Sequence, residues 1–537
     1  MAKIVPVLIV IDADTRSKDG VITVTGRCMT GFKGSRRPME TSKVSAGIDG
    51  DRSFFDISFD SEKGLPAPRG YRMNKFTLSF DIEDALGLDV QNKVWIYYDD
   101  PDLAAEPGTV YFSARDMKKG DGKTSELYFA GGKTIFFRQT RNNTVYLTVR
   151  PTDRYDLPEG RARLDEAYEK AQKLGPSDMI LMYEKDCRRF EESASVLFRR
   201  LIDLGYENVG YILDKECPAM DLVEEKYRPF IIDKDSPEHL LSFFRCSRFI
   251  GTETVGHALS LRASDRRVIR KVQDKDLSHV FLQHGVMYMV SLDSEMRAEF
   301  RNIDRKFYRV VVSSQKEADH FIELGGFDPE ELYITGLAKF DTAFRNEGAD
   351  RIVIMPTWRR WEINDAGGSF EDTGYARLTR MMYDAVPDDL KEKVMILPHP
   401  LMRQYAAGSP LADRFAPEGS SYDEILRDCD VLITDYSSIA YDAFYRGAKV
   451  VFCWRDIEEC MEKYGGAHLM LDRDTAFGDV CFEPEEITEA VRKAAGRDRD
   501  EEYVRRFKEI VSFDDGKNTD RIIDRLIKDG ILEQDGR

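Results

Sequence analysis

The stretch that decides the fold is residues 431–452, which read VLITDYSSIAYDAFYRGAKVVF. Its first four residues are apolar or β-branched and predict a buried strand. A helix is predicted over residues 438–445, where Arg446 and Gly447 end it, and a second apolar strand begins at Lys449. This order of strand, turn, helix and strand is typical of doubly wound α/β domains.

The turn of this unit carries two candidate phosphate-binding residues, Ser437 and Ser438, where the predicted helix begins. At a helix N-terminus, hydroxyls, backbone N–H groups and the positive end of the helix dipole converge, which suits a phosphate. A serine that only caps a surface helix explains the same residues. This stretch alone therefore leaves both interpretations open.

The whole chain has the composition of a soluble protein with several domains. It has 537 residues, of which 33% are charged and 42% hydrophobic, and this length exceeds what one core accommodates. The net charge of −18 argues against bulk nucleic-acid binding. The eight cysteines lack C-x-x-C and metal-ligand spacing, which predicts buried free thiols in a reducing cytosol. No apolar segment reaches about 18 residues, so any membrane association is expected to be peripheral.

Three domains are expected along the chain. Residues 1–152 contain short β-branched and aromatic runs between Gly, Asp and Asn turns, which predict an antiparallel, sandwich-like β domain or a barrel-like one. Strands alternate with helices over residues 161–345, including a strand predicted at 226–232, and again over residues 346–537. This pattern predicts two Rossmann-like α/β domains with a ligand cleft between them, and a last helix, residues 519–532, that crosses back to the first of the two.

Polar residues follow four of the predicted α/β strands, where open parallel sheets bind ligands. Histidine suits general-base work near neutral pH, arginine suits bidentate phosphate contact, and tryptophan can stack on a base. Each motif alone has an ordinary packing explanation, but four together favour a ligand site. The candidate residues are His284, Gly285, Thr357, Trp358, Arg359, His399, Thr434, Asp435, Tyr436, Ser437, Ser438 and Asp442.

The four motifs are His284-Gly285, residues 356–359 (PTWR), His399-Pro400 and residues 434–442 (TDYSSIAYD). In this order and context they resemble those of the CDP-glycerol glycerophosphotransferase family, the teichoic-acid primases and polymerases. The Gly-containing segment 335–341 is also similar to one in that family, and the resemblance covers about residues 178–515. It implies a GT-B-like pair of Rossmann domains behind an N-terminal β domain that lies outside the resemblance. The expected donor is CDP-glycerol or a related CDP-polyol, and the expected acceptor is a glycan or a lipid-linked polymer.

The resemblance also implies roles for single residues. His284 matches the catalytic base that deprotonates the acceptor hydroxyl. No cofactor or metal is expected, because fixed positive and dipolar donors can stabilise the phosphoryl oxygens. The matches on the donor side are Arg359, His399, Ser437 and Ser438 for the diphosphate, Thr357 and Trp358 beside the nucleotide, and Asp442 at the end of the last motif.

The sequence departs from the family pattern at two places. The family's His-Gly is commonly followed by Thr-Pro-Leu-Lys, whereas residues 286–290 here are Val-Met-Tyr-Met-Val and contain no lysine. The segment before His399 has Leu397 and Pro398 where an arginine is often found. These differences put acceptor contacts and one phosphate contact in question.

The sequence leaves more than one interpretation open for the location of the protein and for its function. The expected location is the cytoplasm, with peripheral contact at the inner face of the membrane through the basic residues of segment 262–271. Asp265 lies within that segment and Asp274 lies three residues after it, so a solvated helix face is the favoured interpretation. The two other functions that fit are a GT-B glycosyltransferase using a nucleotide sugar and a non-catalytic, polymer-binding scaffold.

Overall fold

The computed structural model describes residues 4–37, 39–61, 67–88, 90–103, 105–112, 125–139, 143–294, 297, 300–302, 307–357, 359–362, 373–398, 409–417 and 420–533. The chain divides into two compact units. The first contains Met1–Glu166 and Arg262–Val272, and the second contains Ala167–Leu261 and Gln273–Arg537.

The first unit is built from eleven described strands and has a closed barrel at its centre. Seven strands form the barrel in the order β1, β2, β5, β4, β3, β7, β8, and β6, β11, β10 and β9 form a separate sheet. The strands are β1 Pro6–Lys18, β2 Val21–Phe32, β3 Val44–Ile48, β4 Asp51–Ser61, β5 Arg72–Asp81, β6 Gln91–Lys93, β7 Trp95–Tyr98, β8 Gly108–Phe112, β9 Tyr128–Ala130, β10 Lys133–Gln139 and β11 Val145–Pro151. The helices of this unit are α1 Ile82–Ala85, the start of α2 Pro158–Leu174, and α5 Arg266–Val272.

The sandwich-like prediction for the N-terminal domain is therefore wrong. Two features close the sheet. Strand β1 pairs antiparallel with β2 and parallel with β8, and its register shifts between Val10 and Asp12, where a bulge increases the local bend. Strand β3, which the sequence analysis did not predict, joins β4 to β7. Its Val-Ser-Ala-Gly-Ile sequence has little strand propensity, because Ala and Gly are depleted in strands.

The second unit contains two parallel sheets. The first has the strand order β14, β13, β12, β15, β16, β17, β18, and the second has the order β20, β19, β21, β22, β23. The strands are β12 Ser177–Tyr183, β13 Val209–Leu213, β14 Ile231–Asp233, β15 Cys246–Gly251, β16 Ser278–Phe281, β17 Arg309–Val312, β18 Leu332–Ile334, β19 Arg351–Met355, β20 Val394–Ile396, β21 Cys429–Thr434, β22 Lys449–Cys453 and β23 Asp479–Cys481. The further helices are α3 Ser193–Asp203, α4 Pro237–Arg245, α6 Gln315–Gly325, α7 Gly374–Asp384, α8 Tyr422–Arg427, α9 Ile439–Tyr445, α10 Ile457–Lys463, α11 Pro484–Ala494, α12 Glu501–Ile510 and α13 Asn518–Lys528.

This arrangement confirms the mixed α/β class with several sheets, and it corrects one element. The strand predicted at residues 226–232 is mostly a 3-10 helix, Glu225–Phe230, and only Ile231 and Ile232 belong to β14. Pro229 lies inside that helix and has no N–H to donate to a neighbouring strand. The predicted domain boundaries stay predictions.

The last helix, α13, crosses back to the first parallel sheet, as predicted. Asp529, which follows this helix, accepts hydrogen bonds from the hydroxyl of Tyr333 at 2.6 Å and from Nε of Arg309 at 2.5 Å. Both partners belong to strands of the first sheet. The C-terminal helix therefore packs on the first parallel sheet, although it follows the second sheet in the sequence.

Three further features bear on the chemistry. All eight cysteines are free and buried, which confirms the prediction. None of the helices in the described residues combines the length and the apolar character needed to cross a membrane. Within the same residues, no cluster of three or more His, Cys, Asp or Glu side chains could hold a metal ion.

A buried ion pair stabilises the first unit. Arg150 donates hydrogen bonds to both carboxylate oxygens of Asp156, at 2.6 and 2.8 Å, and both side chains are buried. The same carboxylate accepts bonds from the hydroxyl of Thr134 and the backbone N–H of Asp153. The Ser264 hydroxyl also donates to it at 2.9 Å, so five donor groups depend on one acidic side chain.

We expect Asp156→Ala to lower the free energy of unfolding by about 3–5 kcal/mol, because the buried guanidinium loses its counter-charge. Urea unfolding followed by circular dichroism measures the loss. Arg16→Ala is the matched control, since Arg16 pairs with Asp14 at the surface with 82% and 63% of the side chains exposed, and its expected cost is about 0–1 kcal/mol. Equal losses in the two variants would contradict the prediction.

Candidate active site

The predicted residues lie where the strand order of each parallel sheet reverses or next to that point. In the first sheet the order reverses at β12 and β15, and Glu253 and His284 follow β15 and its neighbour β16. In the second sheet the order reverses at β19 and β21, which are followed by Thr357 and Asp435. Open α/β sheets form their ligand crevice at this position.

A buried carboxylate, Asp435, joins the ends of β19 and β21. Its Oδ1 accepts hydrogen bonds from the backbone N–H and the hydroxyl of Thr357, at 2.8 and 2.5 Å, and from the N–H of Tyr436 at 2.6 Å. Thr434 adds a bond from its hydroxyl to the carbonyl of Met355 at 2.6 Å. These bonds fix the start of the turn that leads to Ser437.

Arg359 completes the arrangement around Asp435. Its Nη1 lies 2.9 Å from Oδ2 of Asp435, and its Nη2 donates to Asp456 at 2.8 Å. The Tyr436 hydroxyl donates to the same Asp456 at 2.7 Å. Burial lowers the pKa of Arg359, but Asp435 and Asp456 outweigh this effect and raise it above its ordinary value. The side chain is 2% exposed, and its predicted phosphate contact stays a prediction.

Residues 435–438, which we call the serine turn, lead into helix α9. This helix begins at Ile439, one residue later than predicted. Ser437 Oγ accepts a hydrogen bond from the N–H of Ile439 at 3.4 Å, whereas Ser438 makes no side-chain cap bond. The Ser438 hydroxyl instead faces Gly285 of the other sheet, where an added Cβ would lie 3.2 Å from this oxygen and 3.9 Å from Oδ2 of Asp442. Glycine therefore lets the two motifs approach closely.

Lys339 bridges the same two motifs. Its Nζ lies 2.6 Å from Oδ1 of Asp442 and donates to the carbonyl of His284 at 2.8 Å. The lysine belongs to the 3-10 helix Ala338–Thr342, inside the Gly-containing segment 335–341. Lys339 and Asp442 are 12% and 13% exposed. A lysine from a distant segment therefore lies beside His284 and Gly285, although the residues that follow them, 286–290, contain no lysine.

The backbone holds His284 in an unusual position. Gln283, directly before it, has a φ of +59° in the left-handed region, and its buried side chain donates to the carbonyl of Val311 at 2.5 Å. Such strain persists only where the surrounding contacts enforce it, and it concentrates at functional sites. The His284 ring is 39% exposed, and its Nδ1 lies 3.9 Å from Oε1 of Glu253.

Electrostatics keep His284 suited to accept a proton. Burial lowers the pKa of His284; Glu253 opposes this shift, and the positive charges of Lys339, Lys185 and Arg297 add to it. The net shift is downward, so the ring is neutral at neutral pH. A neutral imidazole is the form that acts as a general base.

Backbone hydrogen bonds join the segment after Gly285 to the half that carries the second sheet. Ser291 N–H donates to the carbonyl of His468 at 2.9 Å, and Met470 N–H donates to the carbonyl of Met289 at 3.0 Å. The hydroxyl of Tyr441, in helix α9, donates to the carbonyl of Tyr288 at 2.9 Å. We name these contacts the interdomain ladder.

The predicted site residues thus form two described groups. His284, Gly285, Ser438 and Asp442 meet across the two sheets, and Thr357, Arg359, Thr434, Asp435 and Tyr436 form the buried network at the start of the serine turn. Ser437 follows this network and accepts the N–H of Ile439 at the start of helix α9. Trp358 and His399 lie outside the described residues.

Sequence reasoning missed three residues of the site. Glu253 follows β15, so the strand-end rule that selected His284 could have found it. Lys339 lies inside a segment that was noted for its glycine rather than for its lysine. Asp456 follows β22 by three residues and carried no motif, so only its contacts with Arg359 and Tyr436 reveal it.

Comparison with known proteins places the chain in a family. A family model described as CDP-Glycerol:Poly(glycerophosphate) glycerophosphotransferase matches residues 177–528, well over half of the chain. The chain belongs to this family. The match covers both parallel sheets and the described site residues between them, and it excludes the barrel.

Two curated relatives share part of their length with this member of the family. Minor teichoic acid biosynthesis protein GgaB of Bacillus subtilis (strain 168) is 25% identical over 274 residues, which cover 46% of this chain and 29% of GgaB. Teichoic acid poly(ribitol-phosphate) polymerase of Bacillus spizizenii is 27% identical over 252 residues, 42% of this chain and 38% of the relative. The chain thus matches less than two fifths of either relative.

Solved structures of the wall teichoic acid polymerase TagF share the fold. One TagF variant has a TM-score of 0.50 at 16% identity and covers 70% of this chain and 95% of its own. A second variant, soaked with CDPG, has a TM-score of 0.50 at 17% identity and covers 69% and 94%. At these identities the likeness concerns the fold alone.

We expect Arg359→Lys to lower the free energy of unfolding by about 1.5–3 kcal/mol, because an ammonium cannot reach both carboxylates that the planar guanidinium joins. Urea unfolding measures the effect. The control is Arg455→Lys, since Arg455 pairs with Glu483 at the surface and should lose less than about 1 kcal/mol. The buried network would lose its assigned role if both variants were equally stable.

Proposed function

We propose that the protein transfers glycerol phosphate, or a related polyol phosphate, from a CDP-activated donor to a hydroxyl of a cell-surface glycan or lipid-linked teichoic-acid-like acceptor. CMP is the second product. The observation that carries this proposal is the close approach of His284–Gly285 to the Ser438 turn, with Lys339 between them. A candidate base and a candidate phosphate site thereby face one crevice.

On the acceptor side, neutral His284 takes the proton of the attacking hydroxyl. The oxygen then forms a bond to the β-phosphorus of the donor. Glu253, 3.9 Å from Nδ1, stabilises the imidazolium that results. The proton leaves His284 to solvent before the next turnover.

On the donor side, the bond between the β-phosphorus and the oxygen that CMP retains breaks. The Ser437 and Ser438 hydroxyls and the nearby backbone N–H groups hold the phosphoryl oxygens, and Lys339 supplies positive charge. Asp435 and Arg359 support the donor site indirectly, because their buried contacts hold the serine turn in place. Thr357, Tyr436 and Asp442 are assigned to the donor side with them, as are Trp358 and His399.

The acceptor and its location belong to the same proposal. Polymers on a lipid carrier at the inner face of the cell membrane would require peripheral contact, to which the basic segment 262–271 contributes. One of its arginines, Arg267, already pairs with Asp165 and Asp265.

The donor class is tested by CMP release from purified protein. We expect turnover of CDP-glycerol or CDP-ribitol with a glycan or lipid-linked acceptor, and a loss of at least about 100-fold in kcat/KM for His284→Ala, because general-base catalysis contributes about 10²–10⁴. His468→Ala is the control. This histidine is exposed, and only its backbone groups take part in the hydrogen bonds with Ser291. Full turnover by His284→Ala would remove the assigned base.

The same donor panel separates the other two functions. A GT-B glycosyltransferase would be stabilised against heat by UDP-sugars and not by CDP-polyols. A non-catalytic scaffold would release no CMP with any acceptor. Either result would replace the proposed reaction.

The pH dependence of kcat/KM tests the charges around His284. Lys339→Met removes a positive charge, so the pKa of His284 rises and the acidic limb moves to higher pH. Glu253→Gln removes a negative charge, so the pKa falls and the limb moves to lower pH. Each shift should be about 0.5–1 pH unit, as expected for the loss of a single charge close to a partly buried group. Lys463→Met, remote and exposed, serves as the control, and shifts in the same direction for both site variants would contradict the assignment.

A further inference from the structure

The barrel of the first unit encloses a cavity of about 280 Å³. It is lined mainly by inward-facing apolar side chains of the barrel strands, to which Phe137 and Val145 of the adjoining sheet add. Many of these residues are small: the lining includes Val10, Val24, Ala46, Val94, Val110 and Val145. Small side chains at inward positions leave the interior of a barrel unfilled.

A void of this size is unusual in a protein interior. Interiors are packed as densely as organic crystals and contain few voids larger than a water molecule. An apolar cavity of about 150 Å³ stays dry and binds benzene, so a volume of 280 Å³ corresponds to about ten to twelve carbon atoms. The lining is mostly apolar, with polar side chains only at Asp12, Thr15, Ser125, Gln139 and Arg266. A hydrocarbon chain therefore fits the cavity better than solvent does.

The cavity lining includes two charged residues. Arg266, the first residue of helix α5, belongs to the same unit and lines the cavity, as does Asp12. Asp12 is paired with Arg27, whose Nε donates to it at 2.8 Å. Arg266 is exposed, and it makes no ion pair or side-chain hydrogen bond in the part of the chain that the structure describes. Of the two charges in the lining, the positive one is therefore available to a ligand.

We propose that the barrel binds one single-chain amphiphile with an anionic headgroup. Its hydrocarbon chain, of about ten to twelve carbons, fills the cavity. Its carboxylate or phosphate contacts the guanidinium of Arg266, which suits both groups because it can donate two parallel hydrogen bonds. This site is independent of the crevice that contains His284, and it does not depend on the proposed transfer reaction.

Titration calorimetry of the 537-residue protein, with each amphiphile below its micellar concentration, tests the proposal. The probes are decyl phosphate, decanoate, decanol, decyltrimethylammonium and inorganic phosphate. We expect decyl phosphate and decanoate to bind at one molecule per chain, decanol to bind more weakly, and the cationic amphiphile and inorganic phosphate not to compete. The proposal is overturned if no amphiphile binds, if the cationic one binds as tightly as the anionic ones, or if inorganic phosphate alone competes equally.

Two kinds of variant locate the site. Arg266→Gln should weaken decyl phosphate binding at least tenfold and change decanol binding less than twofold, whereas Lys18→Gln, a fully exposed charge on β1, should change neither. Ala46→Leu and Val24→Phe fill the cavity and should abolish binding of both. If a filled variant does not fold, the Arg266→Gln comparison decides. Unchanged binding in a folded, filled variant, or in Arg266→Gln, would overturn the proposal.

Discussion

The structure of the site depends on one buried carboxylate. Asp435 has no exposure to solvent, and an ionised carboxylate in that position must be compensated by donors or opposite charge. Thr357 and Arg359 supply both, which fixes the ends of β19 and β21 relative to each other. The serine turn and Asp442 follow directly along the chain. Lys339 then joins Asp442, in helix α9, to the carbonyl of His284. A continuous series of ion pairs and hydrogen bonds therefore leads from Asp435 across the crevice.

Two positive charges at the site, those of Arg359 and Lys339, are already compensated within the chain. Arg359 contacts two carboxylates, and Lys339 contacts one. For a protein with a net charge of −18, this pairing limits general attraction of anions to the crevice. Recognition of a diphosphate at such a site relies on oriented hydroxyls and N–H groups more than on excess charge. These donors select shape and position, whereas an unpaired cation would bind many anions.

Much of the second unit could be predicted from the sequence because its signals are local. Buried parallel strands are short apolar runs, and the strands predicted at residues 431–434 and from Lys449 are β21 and β22 of the structure. His284 and Ser438 were found because a ligand site must follow such strands. Lys339 and Asp456 were not, since their roles arise from contacts between segments far apart in sequence. The sequence could not decide between a sandwich-like and a barrel-like domain for the same reason: closure depends on pairing of β1 with β8 and on β3, whose own residues favour no strand.

The interdomain ladder limits how the crevice can change its width. Separating the halves at residues 289–291 and 468–470 would break backbone hydrogen bonds whose groups are otherwise partly shielded from water. Paired backbone therefore closes this flank of the crevice. A molecule that reaches His284 and Ser438 has to approach from another side.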